Sequence, residues 1–171
     1  MNRDGCTTLE RHAAHFKDMV PHTATLTRLA ARARTVIELG VRGGVSTWAL
    51  LDGLPADGEL VSVDNDGRCI RQVPARVADD PRWSFLAGDD RNPDLWAGLP
   101  LADLVLIDTS HTYGHTRMEM AMAGLHQAQT IVLHDWNIAG VEEAGRDFRR
   151  AYPHWLLDVE PSDWGLAVFR R

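Results

Sequence analysis

The chain alternates short apolar, β-branched runs with longer stretches of helical spacing. The first run, Thr35 to Gly40 (TVIELG), is stopped by glycine. Val45 to Leu54 then resumes a helical period, and Asp57-Gly58 marks a turn. Glu59 to Asp66 (ELVSVDND) reads as a second strand, Trp83 to Asp90 (WSFLAGDD) as a third and Thr130 to Trp136 (TIVLHDW) as a fifth. The fourth, Ala102 to His111, carries the strongest buried-strand signal at Leu104 to Ile107. Between them fall a short helix around Pro74 (Cys69 to Val77) and a short helix or loop from Asn92 to Gly98. Two longer helices follow: Tyr113 to Ala128, with Met118, Met122 and Leu125 at helical spacing, and Val141 to Tyr152, closed by Pro153. Trp155 to Val159 and Gly165 to Arg170 form a last strand pair across a short loop. Upstream, Thr8 to Arg34 reads as helical with a break near Pro21, and Leu26, Leu29, Ala30 and Ala33 share one face.

Strand–helix alternation demands crossover connections and a mainly parallel sheet covered on both faces. A final pair joined by a short loop can only be antiparallel. The expected fold is therefore a Rossmann-like three-layer α/β sandwich. It has about seven strands, mostly parallel, with one antiparallel strand near the C-terminus. Residues 1–34 are expected to pack on or cap a single domain of residues 35–171.

Composition narrows the partners. The 171 residues carry a formal net charge of −6 with only short basic pairs, which argues against a nucleic-acid or anionic-membrane partner. No apolar run approaches the ~20 residues of a membrane span, and no apolar core of a secretion signal follows the N-terminus. Two cysteines, Cys6 and Cys69, make no disulfide framework, so a reducing cytoplasm is the default.

The chemistry collects at the strand ends. Glu38 with Gly40, Asp64 with Asn65 and Asp66, Asp89 with Asp90, Asp108 with His111, and His134 with Asp135 all fall there. In an open parallel sheet these ends share one rim, where ligands bind. One or two acids would be ordinary helix caps; five in succession suit a ligand rich in donors, or a cation. The turn Gly40 to Gly44 lets a ligand lie against bare backbone at a helix N-terminus. It lacks the G-x-G-x-x-G spacing of dinucleotide sites, and Glu38 favours a cationic or zwitterionic ligand instead.

The segment E-L-G-V-R-G-G-V-S, Glu38 to Ser46, resembles the first motif of class I S-adenosylmethionine-dependent methyltransferases, especially small-molecule O-methyltransferases of the catechol type. L-I-D-T-S-H-T-Y (Leu106 to Tyr113), V-L-H-D-W (Val132 to Trp136) and G-L-A-V-F (Gly165 to Phe169) are similar to a bacterial branch with I-D-x-x-H-x-Y and L-H-D signatures. The resemblance implies S-adenosylmethionine as cofactor. Glu38, Gly40, Gly44, Ser46, Asp64, Asn65, Asp89 and Asp108 would then form its site. Ser46 would donate to the cofactor carboxylate, Asp64 would accept both ribose hydroxyls, and Asp89 would stand near the adenine amino group with Asp90 beside it.

In the catechol type a magnesium ion, Mg2+, sits at the ends of the fourth and fifth strands. Asp108 and Asp135 occupy those positions, but Trp136 stands where a third ligand is expected. His134 or Asn137 are the replacements, and a histidine shifts the choice toward another divalent metal. His111 holds the place of the catalytic lysine and is either the general base or a cap for the helix beginning near Tyr113. His134 and Asp135 are either ligands or a buried pair orienting a loop. Tyr113 and Trp136 either line the acceptor pocket or pack.

The function these readings imply is methyl transfer to an oxygen of a small-molecule, natural-product or glycoside acceptor. Alternatives are a metal-dependent hydrolase or hydroxylase using Asp108, His111, His134 and Asp135, and a non-catalytic S-adenosylmethionine-binding protein. The short chain leaves the pocket open or covered by a second subunit in a homodimer.

Overall fold

In the computed structural model, which describes residues 14–171, seven strands form one sheet in the order β3-β2-β1-β4-β5-β7-β6. They are β1 Thr35–Leu39, β2 Glu59–Asp64, β3 Trp83–Ala87, β4 Leu104–Ile107, β5 Thr130–His134, β6 Leu156–Glu160 and β7 Leu166–Arg170. β1 to β5 pair in parallel; β7 inserts antiparallel between β5 and β6. The expected α/β sandwich and its reversed C-terminal pair are borne out.

The period of two sends alternate residues into separate cores. Val36, Leu60, Leu104, Leu106 and Val132 face α1 (Thr23–Ala30) and α2 (Val45–Gly53). Ile37, Leu39, Val105, Ile107, Ile131 and Leu133 face α5 (Tyr113–Leu125) and α6 (Ala139–Ala151). Two short helices, α3 (Ala75–Ala78) and α4 (Pro93–Ala97), complete the crossovers. Pro74 is the N-cap of α3, so the expected Cys69 to Val77 helix is divided into a 3-10 turn, Cys69–Arg71, and α3.

Two helical expectations are corrected. Within the described part of Thr8 to Arg34, residues 14–19 are turns, and helix begins only after the 3-10 turn Val20–His22. In α5 the inward face is Thr116, Glu119, Met120 and Ala123, whereas Leu125 is 73% exposed. Hydropathy reads α5 out of phase because its buried stripe includes two polar residues turned toward the rim. Among the described residues no helix is long and apolar enough to cross a membrane. Cys69 is buried and free; Cys6 and His12 lie outside the described residues.

Candidate active site

The chain moves outward from β1 to β2 and β3, then returns to β4 on the other side of β1. The β1/β4 boundary is thus the switch point, where a crevice opens. Gly40 follows β1 there at φ +89°, and a Cβ on it would stand 2.0 Å from the carbonyl oxygen of Asp108. Only glycine lets the two strand ends approach this closely. Gly44 (φ +73°) is the N-cap of α2 and faces Val73, not the crevice.

Glu38 and Ser46 take a different part from the one expected of them. The Glu38 carboxylate is fully buried and accepts from Ser46 Oγ (2.5 Å), Thr47 Oγ1 (2.8 Å) and Ser62 Oγ (2.5 Å). It is a brace beneath the glycine turn, tying β1 to α2 and to its register neighbour Ser62 on β2. Burial pushes its carboxyl up to about 7, against the pull of the three hydroxyls. An acid whose folded pKa is raised loses stability as pH climbs from its unfolded value through its folded one. Glu38→Gln, uncharged and nearly isosteric, is therefore expected to flatten the stability profile between pH 5 and 8. The difference from wild type across that window is about 3 kcal/mol at 1.36 kcal/mol per unit. Melting temperatures of both proteins at pH 5 and pH 8 check this; parallel profiles would refute it.

A cavity of about 300 Å³ opens over the turn, lined by Gly40, Asp64, Asn65, Asp90, Asp108 and His111 among others. Asp64 Oδ2 accepts from the backbone N–H of Val41 (2.9 Å) and Arg42 (3.2 Å), and Oδ1 from Asp66 (2.8 Å). A carboxylate has about four acceptor positions, so roughly one remains for a ligand hydroxyl, not the two expected. Asp89 leaves the cavity wall to pair with Arg91, and Asp90 takes the inward place.

Asp108, His111 and Asp135 converge on the cavity floor, with His134 buried behind them. His111 Nε2 lies 3.1 Å from Asp108 Oδ1 and 2.9 Å from Asp135 Oδ2. His134 Nδ1 approaches the same two oxygens at 3.3 and 3.2 Å from the buried side. Its Nε2 lies 3.3 Å from the Asp18 carbonyl, and its ring meets buried His22 edge-on at 5.4 Å. Both His111 and Asp135 hold φ of +54°, a strained conformation of the kind concentrated at functional sites. Burial opposes ionisation of Asp108 and Asp135, but the two imidazoles outweigh it and hold both carboxyls below the usual range. The Asp108 and Asp135 contacts raise His111 to about 9. For His134 burial works downward, and the same two acids override it, to about 10.

Three other expected residues sit elsewhere. Tyr113 gives its hydroxyl hydrogen bond to Asp147, Trp136 packs on Phe169, and Asn137 donates to the carbonyls of Ser162 and Asp163. None of them lines this cavity.

The family profile described as "Methyltransferase domain" matches residues 37–136, more than half of the chain and all of the rim just described. The chain belongs to the methyltransferase domain family. No curated protein sequence matches it. Among solved structures it is similar to an O-methyltransferase from Bacillus cereus in complex with S-adenosylhomocysteine (15% identity, 98% of this chain, 92% of that one, TM-score 0.76). It is similar also to the O-methyltransferase TomG of Streptomyces achromogenes, involved in tomaymycin synthesis and bound to S-adenosylmethionine (16% identity, 98% and 90%, TM-score 0.75). A protein from Corynebacterium glutamicum has TM-score 0.77 at 21% identity, over 98% and 90%. The expected class I methyltransferase fold is borne out.

This methyltransferase has room for the cofactor class its fold serves: the bare backbone of Gly40 and the free acceptor position of Asp64 face one cavity. For a divalent metal, one ligand atom from each of Asp108, His111 and Asp135 lies within 4.8 Å of the others. Asp135 Oδ1 is buried without a hydrogen-bond partner among the described residues, an acceptor that suits a cation. His111 thus joins the expected pair of acids, with His134 behind them. Sequence reading passed over Thr47 and Ser62. The signal for Ser62 was a hydroxyl inside an otherwise apolar strand, level with Glu38 in the neighbouring one.

Proposed function

We propose that the protein methylates an oxygen of a small molecule, with S-adenosylmethionine as donor and His111 at the acceptor hydroxyl. The observation that carries this reading is the His111 imidazole clamped between Asp108 and Asp135, on the floor of the cavity that the Gly40 turn opens. The cofactor supplies an electrophilic methyl on a sulfonium, which leaves as a neutral thioether when the acceptor oxygen takes the methyl. A divalent ion held by Asp108 and Asp135 would supply Lewis acidity toward the acceptor hydroxyl.

The chain's own groups do the rest. Asp64 accepts from a ribose hydroxyl. Gly40 and the start of α2 receive the methionine end. His111, its Nε2–H held by the two carboxylates, takes the acceptor proton on its other ring nitrogen, Nδ1, as the oxygen attacks. Most of the rate gain comes from holding oxygen and methyl in line at about 3 Å.

Residues 14–34, ahead of β1, pack over the Gly40–Gly44 turn. The Phe16 ring rests on Gly43, Asp18 pairs with Arg42 at 2.6 Å, and the Asp18 carbonyl meets His134. This supports the reading of that segment as a cap on the domain for residues 14–34; residues 1–13 lie outside the described residues. A homodimer in the cytoplasm remains part of the proposal, as does a natural-product or glycoside acceptor.

The raised pKa of His111 sets a pH dependence. A base must be unprotonated, so turnover is expected to rise about tenfold per pH unit below about 9 and then level off. His111→Gln should remove that limb and lower turnover by about 10²- to 10⁴-fold. Transfer of a labelled methyl to a panel of phenols, glycosides and hydroxylated natural products, followed from pH 6.5 to 9.5, measures both. A flat profile, or an unimpaired His111→Gln protein, would contradict the role of His111.

A further inference from the structure

A second cluster of titratable groups lies where the end of β3 meets the first turns of α5; it borders the cofactor cavity through Asp90 and His115, and no proton or methyl of the proposed transfer passes through it. Asp90 follows β3; His115 and Glu119 are one turn apart on α5, so both side chains lie on one face. Asp90 is 8% exposed and Glu119 0%. His115 Nε2 lies 2.9 Å from Asp90 Oδ1 and 3.7 Å from Glu119 Oε1, and one ligand atom from each residue falls within 4.8 Å of the others.

Some of the polar atoms here are satisfied. Thr109 donates to Glu119 Oε1 at 2.7 Å, and Trp96 Nε1 donates to the Asp90 carbonyl at 2.6 Å. Ser110 Oγ holds His115 Nδ1 at 2.6 Å. Asp90 Oδ2 and Glu119 Oε2 are buried, and among the described residues no donor reaches them. Two carboxylates this close cannot both stay ionised without a positive charge between them. Burial and the neighbouring Asp90 push the Glu119 carboxyl up to about 9 when no cation is present.

A cation answers more of the geometry than a proton does. Around an ion bound at about 2.1 Å, neighbouring nitrogen and oxygen ligands stand roughly 3.0–3.5 Å apart, and the two separations from His115 Nε2 bracket that range. The contact of Ser110 with the far ring nitrogen fixes the imidazole in the way the second partner of a metal-bound histidine usually does. Asp90 and His115 line the 300 Å³ cavity, which gives an ion a route in, while Glu119 closes the site from behind.

We propose that Asp90, His115 and Glu119 form a divalent-cation site separate from the Asp108–His111–Asp135 cluster. One imidazole with two carboxylates selects an ion such as manganese or zinc over calcium. The ion ties the end of β3 to α5 and fixes the cavity wall that Asp90 and His115 form.

The test uses the full chain stripped of metal and titrated with Mn2+ and, separately, Zn2+, with bound metal counted by elemental analysis. Asp108→Asn silences the first cluster, Glu119→Gln the second. Asp108→Asn is expected to retain one equivalent of metal, and adding Glu119→Gln should weaken it at least about tenfold. Glutamine still accepts from Thr109, and an unchanged circular dichroism spectrum without metal shows that the variant folds. Asp108→Asn protein that binds no metal up to millimolar concentration would overturn the site and leave Asp90 and Glu119 sharing a proton. An equivalent that survives Glu119→Gln undiminished would overturn it too.

Discussion

Asp108→Asn and Asp135→Asn are each expected to lower methyl transfer about 10³-fold or more while leaving the affinity for S-adenosylhomocysteine within about threefold. Both substitutions keep the size of the side chain and remove its charge. His111 then loses one of the two carboxylates that orient it and a divalent ion loses a ligand, so each version of the chemistry fails at one point. The cofactor end of the cavity is built from other atoms, the Gly40 turn and Asp64, which neither change touches. Initial rates with labelled cofactor, beside calorimetric titration of the product nucleotide, separate the two effects. A variant that turns over normally would place the reaction elsewhere. A variant that loses nucleotide affinity and rate together would make these acids part of the cofactor site alone.

Gly40→Ala is expected to be the most damaging glycine substitution at the rim. A methyl at φ +89° would meet the Asp108 carbonyl oxygen at 2.0 Å and its carbon at 2.8 Å, and both are backbone atoms that cannot turn aside. They follow directly on β4, and the Asp108 N–H there bonds the Leu39 carbonyl at 2.9 Å. Relief must therefore come from parting β1 and β4 at the switch point. Strain and overpacking together amount to about 3 kcal/mol or more. For a chain of this length that is a fall in melting temperature of about 6–12 °C. Gly44→Ala, at a similar φ, meets only the side chain of Val73 at 3.1 Å and is expected to cost about 1 kcal/mol. Thermal melts of the two variants side by side check the contrast; equal losses would mean that the approach of β1 to β4 is not what Gly40 protects.

The sheet was legible because its central strands are buried on both faces. Val36 to Leu39, Leu104 to Ile107 and Ile131 to Leu133 are nearly continuous apolar runs, the first closed by Gly40 and the other two by Asp108 and His134. The rim itself followed from those closing residues, and Asp64, Asp108, His111 and Asp135 do meet at one cavity. The roles were less legible, because a sequence shows a residue's type and not which way its side chain is drawn. Glu38 and Ser46 read as ligand groups because they flank the glycine turn, yet they satisfy each other within the core. Asp89 and Asp90 differ by one position, and Arg91 draws the first outward. His115 showed no partner pattern in the sequence, and what gives it and Glu119 meaning is Asp90, which arrives from the loop after β3. The α5 phase was misread for the same reason. Its buried polar residues answer to the site, and hydropathy weighs only the core.

The most direct test of the central claim is calorimetric titration of the purified protein with S-adenosylmethionine and S-adenosylhomocysteine, with and without magnesium or manganese, beside Asp64→Ala. The account predicts micromolar binding of both nucleotides to the wild type and its loss in Asp64→Ala, which removes both a ribose acceptor and the anchor of the Gly40 loop. Absence of binding to the wild type under every metal condition would contradict it and turn attention to the acids and histidines of the rim as a metal centre in their own right.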